Sequence, residues 1–149
     1  IASVQPRHIT LDPGGPERDL GPERVPYMWP FRTLLDSGAT LAFGTDSPVT
    51  DIDPIDAVYT AVTRRDADTH EPLGGWLPEE RITLAEALRA YTAGSAAAAQ
   101  RADELGQLAS GMFADIVVLD PNPFELAPDD LQQAKVQATY VAGKKVYEQ

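Results

Sequence analysis

Cysteine is absent from the 149 residues, so neither disulfide bonds nor thiolate metal sites can form. Basic residues are also few: 12 Lys and Arg stand against 23 Asp and Glu, and the formal net charge is −11. Because nucleic acids and anionic membranes attract basic surfaces, this charge excludes them as expected partners and favours small molecules. No apolar run approaches the roughly 20 residues that span a bilayer. The first residues do not resemble a targeting segment. The absence of cysteine suits the cytoplasm, where we expect this protein.

What is present is enough apolar material for a core, since 43% of the residues are hydrophobic. The opening "IASV" reads as a buried strand that stops at Pro6. The run "TLAFGTD" is continuously apolar, as expected of a parallel strand covered on both faces, and it ends at Asp46. Because the chain starts at Ile1 within a strand, we expect it to be a cut piece of a longer protein.

Helix signals lie between and after these strands. We expect an irregular loop over residues 9–25, rich in Pro and Gly, and a helix over residues 26–37 that starts or kinks at Pro30. Asp53 and Pro54 predict the start of a helix. The spacing of Thr83 and Glu86 predicts a capping box, with a helix to about Tyr91 and an Ala-rich helix close behind it.

From Gly106 onward the pattern becomes that of strands. "ADIVVLD" predicts one strand, and "KVQATYVAGKKVYEQ" predicts two strands joined around Gly143 and Lys144. We therefore place a domain boundary near residue 105, which divides the chain into residues 1–105 and 106–149.

Several ordered motifs together resemble the C-terminal part of the metal-dependent amidohydrolases, close to amidohydrolase family 3 and its N-substituted formamide deformylase-like subgroup. They are "SVQPRH", "LAFGTDSPV", "GGWLPEERITLAEALRAYT" and "GQLASGMFADIVVLD" followed by "VQATYVAGKKVYE". The resemblance implies an α/β fold. Residues 1–105 would form the last two strands and helices of a (β/α)8 TIM-like barrel, and residues 106–149 part of a small β-sandwich composite domain.

The same resemblance implies a hydrolase of amide, formamide or cyclic amide C–N bonds that uses a metal-activated water. Asp46 matches the aspartate that ends the family's last barrel strand, where it serves as general base and metal contact. The implied cofactor is a divalent metal, zinc, with one or two ions in the full-length parent. The family's other ligands lie on earlier strands and this chain has two histidines, so we expect the fragment alone to hold no metal and to be inactive.

Four more residues are candidates for substrate binding: His8 and Gln5 after the opening strand, and Trp29 and Trp76 in or beside the loops. Each residue also has an alternative explanation. Asp46 could be a turn or helix N-cap residue, His8 a solvated loop histidine, and the tryptophans packing residues. We expect His70 to lie at the surface.

The implied partners are an amide-type small molecule and either the N-terminal part of the same protein or a second copy of this chain, giving a homo-oligomer. Two barrel strands cannot close a barrel and would leave apolar faces bare. The alternative function is a non-catalytic module for assembly or small-molecule binding that lacks the metal-binding half.

Overall fold

The computed structural model describes residues 1–149 and combines strands with short helices. The strands are β1 (Ala2–Val4), β2 (Leu41–Phe43), β3 (Ile116–Asp120), β4 (Lys135–Val141) and β5 (Lys144–Glu148). The α-helices are α1 (Gly15–Leu20), α2 (Phe31–Asp36), α3 (Pro54–Thr63), α4 (Leu84–Arg89) and α5 (Ser95–Ala98). A π-helical segment covers Ala90–Gly94, and 3-10 turns cover Pro6–Thr10, Val25–Tyr27, Pro78–Glu80, Pro123–Glu125 and Pro128–Gln133.

The first two strands pair in parallel, with Ala2 opposite Leu41 and Val4 opposite Phe43. All of β2 is buried, as expected from its continuous apolar run. β1 differs from the prediction of a buried strand, because Ser3 is exposed and its neighbours are only half-buried. The sheet has two strands, so β2 is the only strand beside β1. Since the strands are parallel, the segments that follow both of them emerge at the same edge of the sheet.

The main core lies between this strand pair and helices α2, α3 and α4. It is formed by buried apolar side chains that include Phe31, Leu41, Phe43, Val58 and Ile82. The predicted start of α3 is confirmed. Asp53 caps it by accepting a hydrogen bond from the Ile55 N–H at 2.9 Å, and Pro54 occupies the first turn, where a missing N–H costs nothing.

The predictions for the first loop and helix are only partly right. The loop over residues 9–25 contains helix α1, which follows the left-handed Gly14 and has Pro16 in its first turn. The predicted helix over residues 26–37 starts after Pro30 and covers only Phe31–Asp36. A residue that precedes proline is disfavoured in the helical region, and Trp29 indeed adopts a φ of +45°.

The capping box at α4 is confirmed: Glu86 N–H donates to Thr83 Oγ1 at 3.2 Å, and Thr83 N–H donates to Glu86 Oε2 at 2.8 Å. The Ala-rich helix predicted close behind α4 is present as α5, but it covers only Ser95–Ala98 and is joined to α4 by the π-helical segment. This segment ends at Gly94, which packs directly against the Leu41 carbonyl of β2. Ser95 Oγ then donates to Phe43 O at 2.9 Å, so the helix is tied to the strand backbone there.

The C-terminal strands form a separate antiparallel sheet in the order β3-β4-β5. The predicted hairpin is present, but its turn is Ala142–Gly143, one residue earlier than expected, and both residues have positive φ. The 3-10 turn Pro128–Gln133 links this part to α3, since Leu131 is buried against Tyr59 and Ala67. Gln132 adds hydrogen bonds to Asp56 at 2.7 Å and to the Ala67 carbonyl at 2.9 Å.

His70 belongs to the same junction. Its Nε2 lies 3.0 Å from Gln132 Oε1, and its ring packs on Tyr59 with the centroids 5.2 Å apart. None of the helices has the length and apolar composition that crossing a bilayer requires.

Candidate functional site

Asp46 lies three residues beyond the buried strand β2, in a tight turn. Its φ is +56°, and its carbonyl accepts a hydrogen bond from the Val49 N–H at 2.8 Å. The side chain is 57% exposed, so the carboxylate is available to a ligand. Of the two alternatives for this residue, a helix N-cap is wrong, because Asp53 caps α3, whereas Asp46 does occupy a turn.

His8 faces this carboxylate from the neighbouring strand end. It belongs to the turn Pro6–Thr10 that follows β1, and the parallel pairing brings it to the same edge as Asp46. His8 Nε2 and Asp46 Oδ2 are 3.7 Å apart, too far for a hydrogen bond but near enough for electrostatic interaction. The Nε2 atom is buried and has no hydrogen-bond partner. An unsatisfied buried nitrogen beside a free carboxylate is an arrangement suited to a ligand between them.

Gln5 lies between β1 and the His8 turn. It is half-buried, and its carbonyl accepts a hydrogen bond from the His8 N–H at 3.2 Å. Gln5 therefore helps to start the turn that carries His8.

Trp29 and Trp76, which are far apart in sequence, contact each other. Their ring centroids are 5.9 Å apart at an interplanar angle of 70°, an edge-to-face packing that aromatic rings prefer. Trp76 Nε1 donates to Glu17 Oε1 at 2.6 Å, which also links it to helix α1. Both tryptophans are half-buried.

Trp76 also lines a cavity of about 410 Å³ next to the His8 turn. Ile9 and Thr10 form one wall of this cavity, and Asp66 lies on another. Burial alone would raise the pKa of Asp66, but hydrogen bonds from the Thr69 N–H, the Thr10 hydroxyl and other donors outweigh it and hold the pKa below its ordinary value. Asp66 therefore keeps its negative charge over the whole neutral range.

Arg64 is a residue of this region that sequence reasoning missed. It caps the C-terminus of α3 with a φ of +60° and is completely buried, although arginine is rarely so. Its Nε donates to the Trp76 carbonyl and its Nη1 to the Trp29 carbonyl, both at 3.0 Å. The sequence carried no signal for this role, because an arginine at a helix end normally points into solvent.

A metal ion would find only part of its ligand set in this chain. Asp46 Oδ2 and His8 Nε2 are donors of the types that zinc binds, and both are free of hydrogen bonds to each other. No three His, Cys, Asp or Glu side chains come together in a way that could hold a metal ion. The residues present thus fit one side of a metal site, whose remaining ligands would have to come from outside these 149 residues.

Comparison with known proteins identifies relatives of this chain. A sequence profile described as amidohydrolase family matches residues 1–147. The chain is 40% identical over 148 residues to Protein LONG AFTER FAR-RED 3 of Arabidopsis thaliana, covering 99% of this chain and 25% of that protein. It is 36% identical over 121 residues to N-substituted formamide deformylase of Arthrobacter pascens, covering 81% of this chain and 22% of that protein.

Solved structures give the same result. An uncharacterized metal-dependent hydrolase from Pyrococcus horikoshii OT3 superposes with a TM-score of 0.71 at 33% identity, over 85% of this chain and 25% of that one. The chain spans about a quarter of the length of the curated relatives that it matches. Since the family profile matches nearly every residue, the chain belongs to the amidohydrolase family.

Proposed function

We propose that this chain is the C-terminal part of a metal-dependent hydrolase that cleaves amide, formamide or cyclic amide C–N bonds. The observation that carries the proposal is the exposed Asp46 carboxylate at the end of a buried parallel strand, facing the unsatisfied Nε2 of His8 at 3.7 Å. Relatives named a formamide deformylase and a metal-dependent hydrolase support the reaction class. The coverage of about a quarter of the relatives supports the view that the active protein is longer.

In this proposal Asp46 is the general base and a metal contact. A bound divalent metal, zinc in our proposal with one or two ions, lowers the pKa of water toward neutrality. Asp46 would accept the proton of the water that attacks the substrate carbonyl, and later return it to the leaving nitrogen. The Asp46 side chain is 57% exposed, so its carboxylate is accessible for both proton transfers.

His8 and Gln5 would bind the substrate beside Asp46, and Trp29 and Trp76 would form its apolar entrance. This assignment of polar and apolar contacts is supported by the cavity that Trp76 lines, because Ile9 and Thr10 of the His8 turn line the same cavity. A polar end near Asp46 and an aromatic wall farther out suit a substrate with an amide at one end and an apolar substituent at the other.

The proposal also assigns a place in a larger fold. β1 and β2 would be the last two strands of a (β/α)8 barrel, in which catalytic groups lie at the carboxyl ends of the strands. Residues 106–149 would belong to a composite β-sandwich completed by other strands of the same protein. The missing metal ligands would come from the earlier barrel strands, so the 149 residues alone would be inactive.

The test uses the longest natural protein that contains these residues. We expect elemental analysis to find about one or two divalent ions per chain, and we expect hydrolysis of an N-substituted formamide or a simple amide. Asp46→Asn should keep the fold and lower kcat by about 100-fold to 10,000-fold, because the carboxamide cannot take a proton.

Asp51→Asn is the matched control, since Asp51 lies in the same exposed loop and its side chain accepts a hydrogen bond from the Ile52 N–H at 2.6 Å. It should leave kcat unchanged. A metal-free protein that hydrolyses no amide would instead favour the non-catalytic module, and an Asp46→Asn enzyme at the wild-type rate would show that Asp46 is not the base.

A further inference from the structure

We propose that Arg64 is a positioning residue, which holds Trp29 and Trp76 together and so keeps Trp76 in the wall of the cavity beside His8. The part of this inference that concerns substrate rests on the function proposed above. The part that concerns the two tryptophan segments stands on the contacts of Arg64 alone.

The first observation is that one guanidinium bridges two loops. Arg64 Nε donates to the Trp76 carbonyl and Nη1 donates to the Trp29 carbonyl, each at 3.0 Å. The Trp76 N–H returns a hydrogen bond to the Arg64 carbonyl at 2.8 Å. Trp76 is therefore held at both its backbone donor and its acceptor by the same residue, and Trp29 is held at its acceptor. Trp29 and Trp76 are 47 residues apart in sequence and are joined through this side chain.

The second observation is that the guanidinium lies between aromatic rings. Arg64 Cζ is 5.1 Å from the centre of the Phe31 ring and 5.5 Å from the centre of the Trp76 ring. Phe31 begins helix α2 two residues after Trp29, so this contact adds to the attachment of the same segment. A planar guanidinium can donate in its plane and stack on its faces at once, whereas an ammonium cannot.

The third observation is the cost of this placement. Arg64 is fully buried, and its Nη2 has no hydrogen-bond partner. Burial lowers the pKa of Arg64 to about 10, against the opposing effect of Glu80 and Glu79, so the side chain is still charged at neutral pH. A buried cation that is compensated mainly by two carbonyls is unfavourable for stability compared with an apolar side chain of the same size. An apolar side chain could fill the same space, but it could not donate hydrogen bonds to the Trp29 and Trp76 carbonyls as Arg64 does.

The geometry next to Arg64 leaves little freedom for the backbone of residues 74–76. Gly75 has a φ of +72°, and a Cβ there would collide with the Thr63 carbonyl. Arg81 also donates to the Gly74 carbonyl at 2.7 Å and to the Thr63 carbonyl at 3.2 Å. The backbone of Trp76 is consequently held in one position beside the end of α3. Its side chain lines the same cavity as Ile9 and Thr10.

The experiment compares Arg64→Met, Arg64→Lys and the control Arg65→Met in the longest natural protein that contains this chain. Arg65 is the adjacent residue, and its Nη1 pairs with Asp129 Oδ1 at 2.8 Å rather than with either tryptophan segment. Peptide-resolved hydrogen exchange reports on the two loops separately. We expect Arg64→Met to speed exchange about tenfold in residues 25–31 and also in residues 72–78, because it removes both bridging bonds.

Arg64→Lys should give an intermediate increase, since it keeps the charge but can neither bridge the carbonyls nor stack in the same way. Arg65→Met should leave both segments at the wild-type rate. Unchanged exchange in both loops of a folded Arg64→Met or Arg64→Lys protein overturns the inference, and so does an increase confined to one loop. Should Arg64→Met fail to fold, the lysine variant alone decides between these outcomes.

Steady-state kinetics tests the link to substrate. If the wall binds the apolar part of an amide substrate, Arg64→Lys should raise KM about tenfold and change kcat little, since binding is weakened equally in the ground and transition states. Faster exchange with unchanged KM would overturn the substrate-entrance part. A wild-type protein without any amide hydrolysis would overturn the proposed function instead, while the exchange result would still decide the role of Arg64.

Discussion

Gly94 shows how one residue can determine the contact between a helix and a strand. It ends the π-helical segment and lies directly against the carbonyl of Leu41 in β2, so any Cβ there would collide with backbone. Gly94→Ala would normally stabilise a helix by about 1 kcal/mol. Here we predict the reverse, a loss of about 1–3 kcal/mol, because the helix must move away from the buried strand. Urea unfolding measures the difference.

Gly74→Ala is the matched comparison. Gly74 has nothing within 4 Å of a built Cβ, and its φ is not positive. The free energy of unfolding of Gly74→Ala should stay within about 0.5 kcal/mol of the wild-type value. An alanine at position 94 that leaves the midpoint unchanged, or raises it, would show that the helix tolerates the extra atom.

The contrast between Asp53 and Arg64 explains which single residues can be predicted from sequence. Asp53 acts on a neighbour two positions away, so its capping role follows from local spacing. Arg64 acts on carbonyls 12 and 35 positions away, and Gly94 acts on a strand more than 50 residues earlier. Long-range contacts of this kind leave no local pattern. Asp46 was singled out through family resemblance and strand-end position, and its catalytic role stays a prediction.

At the scale of elements, the start of helix α4 allows the stabilising effect of one charged side chain, Glu86, to be measured. Glu86 receives hydrogen bonds from the Thr83 N–H and hydroxyl, and Arg32 Nη1 donates to it at 2.8 Å. Burial alone would raise the pKa of Glu86, but these donors together hold it below the ordinary 4.5. Because the folded pKa is the lower one, the stabilisation is complete above about pH 4.5 and is lost as pH falls through the folded value.

We therefore predict that Glu86→Gln is less stable than wild type by about 1 kcal/mol at pH 7, and that the gap narrows as pH falls below 4.5. Glutamine can still accept the capping hydrogen bonds, so the difference in unfolding free energy between the two proteins reports the contribution of the Glu86 charge. Thr83→Ala removes the hydroxyl cap instead, and its penalty of about 1 kcal/mol should persist at pH 3. Denaturant melts at several pH values measure both, and a Glu86→Gln gap that is constant with pH would contradict this account.

Element boundaries show the same division between local and distant causes. The capping box was predictable because both of its residues lie within one turn. The hairpin turn was predicted one residue late, since Ala142 adopts a positive φ that alanine seldom adopts and that the sequence did not indicate. The continuity of α4 with α5 could not be foreseen, because the bond from Ser95 to Phe43 depends on how the helix packs on β2.

The whole molecule exposes more surface than its size requires. Its accessible area is 8608 Å², whereas a compact monomer of 16.1 kDa is expected to expose about 7,400 Å². Part of the excess is the β3-β4-β5 sheet, where Val117 and Tyr147 lie in one cross-strand row and are 55% and 48% exposed. These exposed apolar side chains belong to the C-terminal sheet, whereas β2 is buried.

An uncovered sheet of this kind should make the isolated chain self-associate. We predict concentration-dependent dimers or larger species at micromolar concentrations in analytical ultracentrifugation. The net charge of −11 opposes association, so raising the ionic strength from about 20 mM to about 300 mM should strengthen it by screening the repulsion. Association driven by opposite charges would weaken over the same range.

Val117→Lys places a charge in the exposed row and should shift the chain toward monomer, even though it lowers the net negative charge by one. Ile52→Lys makes the same change of charge at a residue that is 75% exposed and lies outside the sheet, so it should associate as the wild type does. A wild-type chain that stays monomeric at high salt, or two lysine variants that behave alike, would show that this sheet is not the surface through which copies meet.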